Sequence, residues 1–288
     1  AMERFPALRD AISLSLHCET AEIMAAYTKM VQQEGKLTGL RAYSAARPPH
    51  SEGLAICIAS YLAHETDCIN INLLHLTSRK AVEAALKMAD AFPQVNFRRE
   101  VTIGHLVLDY DTPTRVAAKV NPPIRSREDV EYLWETLLDG KLDWVCSDHA
   151  CCRHEMKFNA KKPDEIFLAK SGFGGTEYLL SALITEGRKR GLSYNRMAEL
   201  TSFNAARRFG LARKGDIAVG LDADLVLVDP DKSFVVRAED SESSQGYTPF
   251  EGLELTATVA STYLRGRLVY NNGKVVGKPT GRYLARPY

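Results

Sequence analysis

Three residues of metal-ligand type each lie at the end of a short strand-like stretch of the chain: His17, His75 and Asp148. Histidine and aspartate are ligands that zinc accepts in proteins. A zinc ion polarises a carbonyl group and lowers the pKa of bound water. A carboxylate such as Asp148 can pass the proton from the attacking water to the leaving nitrogen. Together the three residue types predict metal-assisted hydrolysis of an amide-like bond.

The strand-like stretches before these residues predict strands that alternate with helices. We expect strands at 13–17, 69–75, 94–101 and 142–148, and helices at about 20–34, 53–65, 79–92 and 127–139. This alternation is typical of a parallel sheet with crossover helices. In α/β barrels the chemistry sits just past the carboxyl ends of the strands. One strand-end histidine is usually structural, but three such residues in one chain favour a shared site.

The other elements that we expect are helices before residue 210 and strands after Lys214. Residues 3–12 predict the end of a helix that leads into the first strand, and two more helices are expected, up to Gly191 and at about 194–207. From Lys214 onward we expect strands at 216–220, 223–229, 256–264 and 268–270, the last closed by an Asn-Asn-Gly turn that signals a hairpin. A boundary is therefore expected near residues 210–215.

Three further positions are candidates for supporting or substrate-binding roles. Glu19 would point to the same side of an extended chain as His17 and could orient it, but a solvated acid at a helix start is the interpretation we favour slightly. Asn121, in a proline-rich loop, and the backbone at Gly174 are candidates to hold a polar, planar substrate. A tight loop before a helix is the alternative for Gly174.

Composition narrows the class of protein. The formal net charge is +1, which gives no reason to expect nucleic acid or an anionic membrane as a partner, and no stretch approaches the ~20 apolar residues that a membrane span needs. Six cysteines show no CxxC pairing. A reducing cytoplasm is therefore the expected location.

The motifs occur in an order that resembles one known family. They are HCE at 17–19, RPPHSEGLAI at 47–56, LLHLTS at 73–78, VNPPIR at 120–125, SDHA at 147–150, GFGGTE at 172–177, SFNAARRFGL at 202–211, KGDIAVGLDADLVLVD at 214–229 and YTPFEG at 247–252. The ordered set is similar to that of the cyclic amidohydrolases, which include hydantoinases, dihydropyrimidinases, allantoinases and type I dihydroorotases. The resemblance covers essentially the whole chain.

The resemblance implies a fold, a metal centre and residue roles. The fold is a (β/α)8 barrel that carries a small β-sandwich, and the centre is binuclear, usually with zinc. His17 and His75 would bind the metals, Asp148 would bind one metal and act as general base and acid, and Asn121 and the main chain near Gly174 would contact a small cyclic amide. The family commonly forms homo-oligomers.

Two elements of the family's metal centre have no counterpart in this chain. The family uses an HxH pair on the first barrel strand and a carboxylated lysine on the fourth, and no HxH occurs here. We therefore expect the C-terminal portion of such an enzyme, with barrel strands 5 to 8 in residues 1–212 and part of the β-sandwich and a tail in 213–288. Two histidines and one aspartate would hold one metal weakly or none. The open sheet edges of a half barrel invite association.

A second departure concerns the substrate. Dihydroorotases read DHAPH, whose last histidine helps to hold the substrate carboxylate, whereas this chain reads DHACC with Cys152 at that position. Cysteine supplies no cationic donor, although the nearby Arg153 or His154 could, so a hydantoinase-like or dihydropyrimidinase-like activity on a neutral ring is favoured over dihydroorotase. A different class also stays open, since dihydropyrimidinase-related proteins share the fold, have lost metal ligands and act in assembly.

Overall fold

The computed structural model describes residues 12–286 and divides into two compact units. The first contains the chain up to Glu177 together with Arg237–Glu251, and the second contains Tyr178–Val236 and the chain from Gly252 onward. The helix end expected within 3–12 lies largely outside the described residues. No helix in the described part is long and apolar enough to cross a membrane.

The first unit is built on a parallel sheet of four strands in the order β1-β2-β3-β4. The strands are β1 (Leu14–Leu16), β2 (Asn70–Leu73), β3 (Asn96–Thr102) and β4 (Trp144–Cys146). Leu14 pairs with Ile71, Ile71 with Phe97, and Val101 with Val145. All four lie within or beside the predicted strands, and their parallel pairing confirms the predicted sheet.

Helices connect these strands and follow them. They are α1 (Ala21–Glu34), α2 (Gly39–Ala46), α3 (Pro49–Glu65), α4 (Arg79–Ala91), α5 (Ile103–Val107), α6 (Arg127–Leu138) and α7 (His154–Lys157). The short helices α2, α5 and α7 are additions to the predicted set. Helices of four to eight residues carry too few turns for an apolar period to stand out.

Local sequence signals fix where α4 and α6 begin. The Ser78 hydroxyl accepts from the backbone N–H of Ala81 at the start of α4, and the Ser126 hydroxyl accepts from that of Asp129 at the start of α6. Each bond satisfies one of the donors that a helix start leaves free. The sheet and its helices bury Ile71, Leu73 and Val101 almost completely, and each such side chain contributes about 1.5–3 kcal/mol of burial free energy.

The second unit combines helices with antiparallel strands. Its helices are α8 (Leu179–Lys189), α9 (Tyr194–Ala198) and α10 (Asn204–Arg208), with a π-helical turn at Glu199–Phe203 between the last two. Its strands are β5 (Leu225–Asp229), β6 (Phe234–Val235), β7 (Glu254–Leu255), β8 (Thr258–Leu264), β9 (Arg267–Asn271) and β10 (Lys274–Val275). One sheet has the order β10-β9-β8-β5, and β6 pairs with β7.

The hairpin prediction is confirmed, whereas one predicted strand is wrong. Residues Asn272 and Gly273, both at positive φ, turn the chain between β9 and β10. Residues 216–220 form no strand, and the side chain of Ile217 is 82% exposed. Their apolar alternation has the period of a strand, but no strand partner lies beside them among the described residues.

Candidate metal and substrate site

The predicted ligands lie at the carboxyl ends of the parallel strands. His17 directly follows β1, His75 lies two residues after β2, and Asp148 lies two residues after β4. His75 has a φ of 36° and Asp148 a φ of 45°. Non-glycine residues rarely adopt this left-handed region, and those that do cluster at functional sites.

The imidazoles of His17 and His75 face each other. The distance between Nδ1 of His17 and Nε2 of His75 is 2.9 Å. Burial, followed by the neighbouring His17, lowers the pKa of His75 to about 3, so its ring is neutral, as a metal ligand must be. Nδ1 of His75 is buried and finds no hydrogen-bond partner among the described residues.

Asp148 is half-buried on the same side of the sheet. Burial raises the pKa of its carboxyl group above the usual range, the charge of Glu100 raises it further, and His17 partly offsets the shift. Two imidazoles and a carboxylate fit zinc by donor type. Residues 12–286 contain no group of three His, Cys, Asp or Glu side chains arranged to hold a metal ion. The set thus supplies a facing ligand pair rather than a closed metal site.

Glu19 holds His17 in place, and the expectation of a solvated acid is wrong. The side chain of Glu19 is 0% exposed, and its Oε2 lies 2.9 Å from Nε2 of His17. Arg47 donates to the same carboxylate from both Nε and Nη2. Burial raises the pKa of the Glu19 carboxyl group, but the hydrogen bonds of this carboxylate to His17 and Arg47 outweigh burial, and the pKa is lowered overall. An ionised carboxylate only accepts, so Nε2 of His17 donates to Glu19.

Glu100 supports the candidate site and is absent from the sequence predictions. It lies on β3, between the strands that carry His75 and Asp148. Its Oε1 accepts from the backbone N–H of His75 at 3.1 Å, and its Oε2 accepts from Nε1 of Trp144 at 2.7 Å. This buried carboxylate therefore supports the unusual backbone of His75. The sequence signal for Glu100 is its position, since it is an acidic residue near the end of the strand expected at 94–101.

Asn121 begins the proline-rich loop and is bound through its side chain. The hydroxyl of Tyr43, on α2, donates to Oδ1 of Asn121 at 2.5 Å. His105 anchors the next residue, because its Nε2 lies 3.1 Å from the carbonyl oxygen of Pro122. Burial lowers the pKa of His105 to about 4, which keeps that ring neutral. The loop is thus fixed from two sides.

Gly174 and Cys152 lie in neighbouring loops of the same unit. The backbone N–H of Gly174 donates to Oε1 of Gln245 at 3.0 Å, and a Cβ at this position would lie 2.8 Å from Cε1 of His149. The thiol of Cys152 lies 3.2 Å from Oη of Tyr247. The N–H of Gly174 is therefore already satisfied, and its carbonyl group is what remains for a ligand.

Gly172 is the glycine on which this loop depends most, and its replacement gives a first testable prediction. Its φ is 105°, and an added Cβ would lie 2.3 Å from the carbonyl oxygen of Ala150. We expect Gly172→Ala to lower the free energy of unfolding by at least about 2 kcal/mol, measured by urea denaturation.

The control for that prediction is Gly53→Ala in α3. There an added Cβ meets Lys80 O at 3.6 Å and Ala84 Cβ at 3.7 Å, which is ordinary contact. We expect this change to stabilise the protein by about 0.5–1 kcal/mol. Equal effects of the two substitutions would contradict the packing described for Gly172.

Comparison with known proteins adds a family and solved relatives. The sequence model of the amidohydrolase family matches residues 49–269. An allantoinase of Rubrobacter xylanophilus is 38% identical over 281 residues, which are 96% of this chain and 60% of the relative. An allantoinase of Salmonella gallinarum is 34% identical over 259 residues, 89% of this chain and 55% of the relative. The chain thus spans between 55% and 60% of the length of these curated relatives.

Solved structures give the same picture at the level of the fold. A D-hydantoinase (dihydropyrimidinase) from Thermus sp. superposes with a TM-score of 0.84 at 28% identity, covering 96% of this chain and 61% of that one. An L-hydantoinase (dihydropyrimidinase) from Arthrobacter aurescens gives a TM-score of 0.85 at 29% identity, covering 96% and 62%.

Proposed function

The chain belongs to the amidohydrolase family, and from that premise we propose that it carries the C-terminal half of a metal-dependent hydrolase of cyclic amides or imides. The carrying observation is the facing pair of His17 Nδ1 and His75 Nε2, 2.9 Å apart at the ends of adjacent parallel strands. The matched relatives, named allantoinase and hydantoinase, support this substrate class.

We propose that the parallel sheet is half of an eight-stranded barrel. Residues 1–212 would hold barrel strands 5 to 8, and residues 213–288 would form part of a β-sandwich and a tail. In support, strand β1 is an edge strand among the described residues, beside a groove of about 720 Å³ whose lining is mostly apolar and includes the exposed Leu14, Ile58 and Leu62. An open apolar edge favours association, so a homo-oligomer belongs to the proposal.

In this proposal His17 and His75 would hold a metal ion, with Asp148 beside them. Zinc, when bound, supplies Lewis acidity toward the ring carbonyl group. Asp148 takes the proton of the attacking water and delivers it to the leaving ring nitrogen, so that a C–N bond of the ring is replaced by a carboxyl group and an N–H. Glu19 keeps His17 oriented, and Asn121 and the main chain of Gly174 hold the ring.

The neighbourhood of Cys152 supports the proposed preference for a neutral ring. Its thiol lies 3.2 Å from the neutral Tyr247 hydroxyl, which supports a neutral ring such as a hydantoin or dihydropyrimidine over dihydroorotate. Dihydroorotase remains the alternative because an amine lies nearby. The buried amine of Lys157 is close enough to Cys152 that a negative charge on the thiol would raise the pKa of this amine. All six cysteines are free thiols, in keeping with a cytoplasmic protein.

Elemental analysis and turnover on one sample test the proposal. We expect the purified chain to bind zinc, and to hydrolyse hydantoin, dihydrouracil or allantoin if association completes the centre. The controls are His75→Ala, which removes a ligand of the pair, and His64→Ala, which removes a histidine of α3. Zinc content equal in all three proteins would mean that the pair binds no metal. Absence of both zinc and turnover would favour the catalytically inactive assembly protein.

A further inference from the structure

The Tyr43 hydroxyl forms a hydrogen bond with one of the two polar atoms of the Asn121 side chain. Its hydroxyl lies 2.5 Å from Oδ1 of Asn121 and 3.2 Å from Oγ of Ser171. A tyrosine hydroxyl has a single proton to donate. Because that proton is directed at Asn121, the Ser171 hydroxyl must donate to Tyr43. The chain of hydrogen bonds runs in one direction, from Ser171 through Tyr43 to Asn121.

The Tyr43 ring is held firmly enough to impose this direction. Tyr43 is buried on α2. The Lys119 ammonium lies 4.5 Å from its ring centroid, the Arg47 guanidinium lies 5.6 Å from it, and Phe167 meets it edge-on at 6.3 Å. Burial raises the pKa of the Tyr43 hydroxyl, which therefore stays protonated and able to donate.

The other end of the Asn121 amide is its NH2 group. Asn121 is partly exposed, and its Nδ2 makes no hydrogen bond in the part of the chain that the structure describes. Since Oδ1 already accepts from Tyr43, the group left for a ligand is NH2, a donor of two hydrogen bonds. A ligand that pairs with it must present an acceptor.

We propose that Tyr43 is a positioning residue that orients the Asn121 amide, so that its NH2 group selects ligands with a carbonyl oxygen at that point of the ring. The inference rests on the proposed function, because it takes Asn121 as a ligand contact. A site built in this way discriminates strongly, since a ligand with a donor at that point would leave two donors facing each other.

The isosteric change Asn121→Asp tests the orientation of the amide. Aspartate keeps an oxygen for Tyr43 but replaces the NH2 group by a second acceptor. With hydantoin as the probe and calorimetry as the measurement, we expect Kd to rise by at least about tenfold for Asn121→Asp and by about fivefold for Tyr43→Phe. In an Asn121→Ala background, Tyr43→Phe should have no further effect, because the hydroxyl acts through Asn121. A Kd unchanged by Asn121→Asp would overturn the proposal.

A second measurement, on the ligand-free chain, separates this inference from the proposed function. The side-chain NH2 signals of Asn121, identified by their loss in Asn121→Asp, should show an ordered amide by 15N relaxation in the wild type and a mobile one in Tyr43→Phe. The control Tyr132→Phe removes a hydroxyl on α6 and should leave these signals unchanged. If the wild type does not bind hydantoin, the proposed function fails while this comparison still decides the role of Tyr43. Equal order in wild type and Tyr43→Phe would refute it.

Discussion

Replacing Arg125 with alanine is expected to lower the free energy of unfolding by about 3–5 kcal/mol. The Arg125 and Glu52 side chains are 1% and 2% exposed, and Nη2 of Arg125 lies 2.5 Å from Oε1 of Glu52. The substitution leaves the Glu52 carboxylate buried without its cation, although Thr77 still donates to it. Urea denaturation of the full chain measures the loss.

The effect should exceed that of removing a charge because Arg125 joins distant parts of the first unit. Its Nε donates to Oγ1 of Thr77 at 3.0 Å, and its Nη1 donates to the carbonyl oxygen of Ser44 at 3.2 Å. One side chain thus ties the proline-rich loop to α2 and to the segment after His75. The loss of these bonds should also loosen the loop that carries Asn121.

Arg115→Ala is the matched control. Its partner Asp164 is exposed, as is Arg115 itself, with side-chain exposures of 65% and 56%. Exposed ion pairs contribute little to stability, so no measurable change of the urea midpoint is expected. A similar loss for both arginines would mean that burial of the Arg125–Glu52 pair does not determine its contribution.

The sequence predicts the parallel sheet well because its signals are local. The strand before Asp148 is a short apolar run, which is typical of parallel strands covered on both faces. The strands before His17 and His75 alternate apolar residues with serine or asparagine, which has the period of a strand. The caps at Ser78 and Ser126 depend on residues three positions apart. Sequence patterns predict an element correctly where the residues that determine it lie within one helical turn or one strand.

The strand expected at 216–220 shows where such reasoning stops. The period of two is present around Ile217, but a strand also needs a neighbour that supplies hydrogen bonds, and no residue spacing within the segment reveals whether one exists. The short helix α2 was missed for the opposite reason. It is held by tertiary contacts, such as that of Tyr43 with Asn121, which lie 78 residues apart in the chain.

The candidate site likewise contains residues that the sequence predicts and residues that only the structure reveals. Histidine and aspartate at strand ends can be recognised in the sequence by residue type and position. Among the residues that hold them, Glu19 is already a candidate in the sequence for orienting His17, whereas Arg47 and Glu100 become informative only through burial and contact. Arg47 reaches Glu19 across 28 positions, and Glu100 reaches the His75 backbone across 25. The identity of the ligands is a sequence property, whereas their support is a property of the fold.

Replacement of Asp148 by asparagine is expected to lower the rate of ring hydrolysis by about 10²–10⁴-fold, the range typical of a lost general acid–base. Asparagine has the same shape but cannot accept and deliver a proton near neutral pH. In the proposed roles Asp148 also contributes a ligand oxygen, so the variant should bind zinc more weakly. The measurements are kcat with hydantoin and zinc content after dialysis.

The control Asp139→Asn changes an exposed carboxylate at the end of α6, whose partner Lys141 is 47% exposed, and should alter neither quantity. The pattern of losses separates the two roles of Asp148. A fall in kcat with zinc retained assigns it to proton transfer, whereas a parallel fall that excess zinc restores assigns it to metal binding. Full activity and full zinc in Asp148→Asn would contradict both, and the strand-end aspartate would then serve only the backbone turn it occupies.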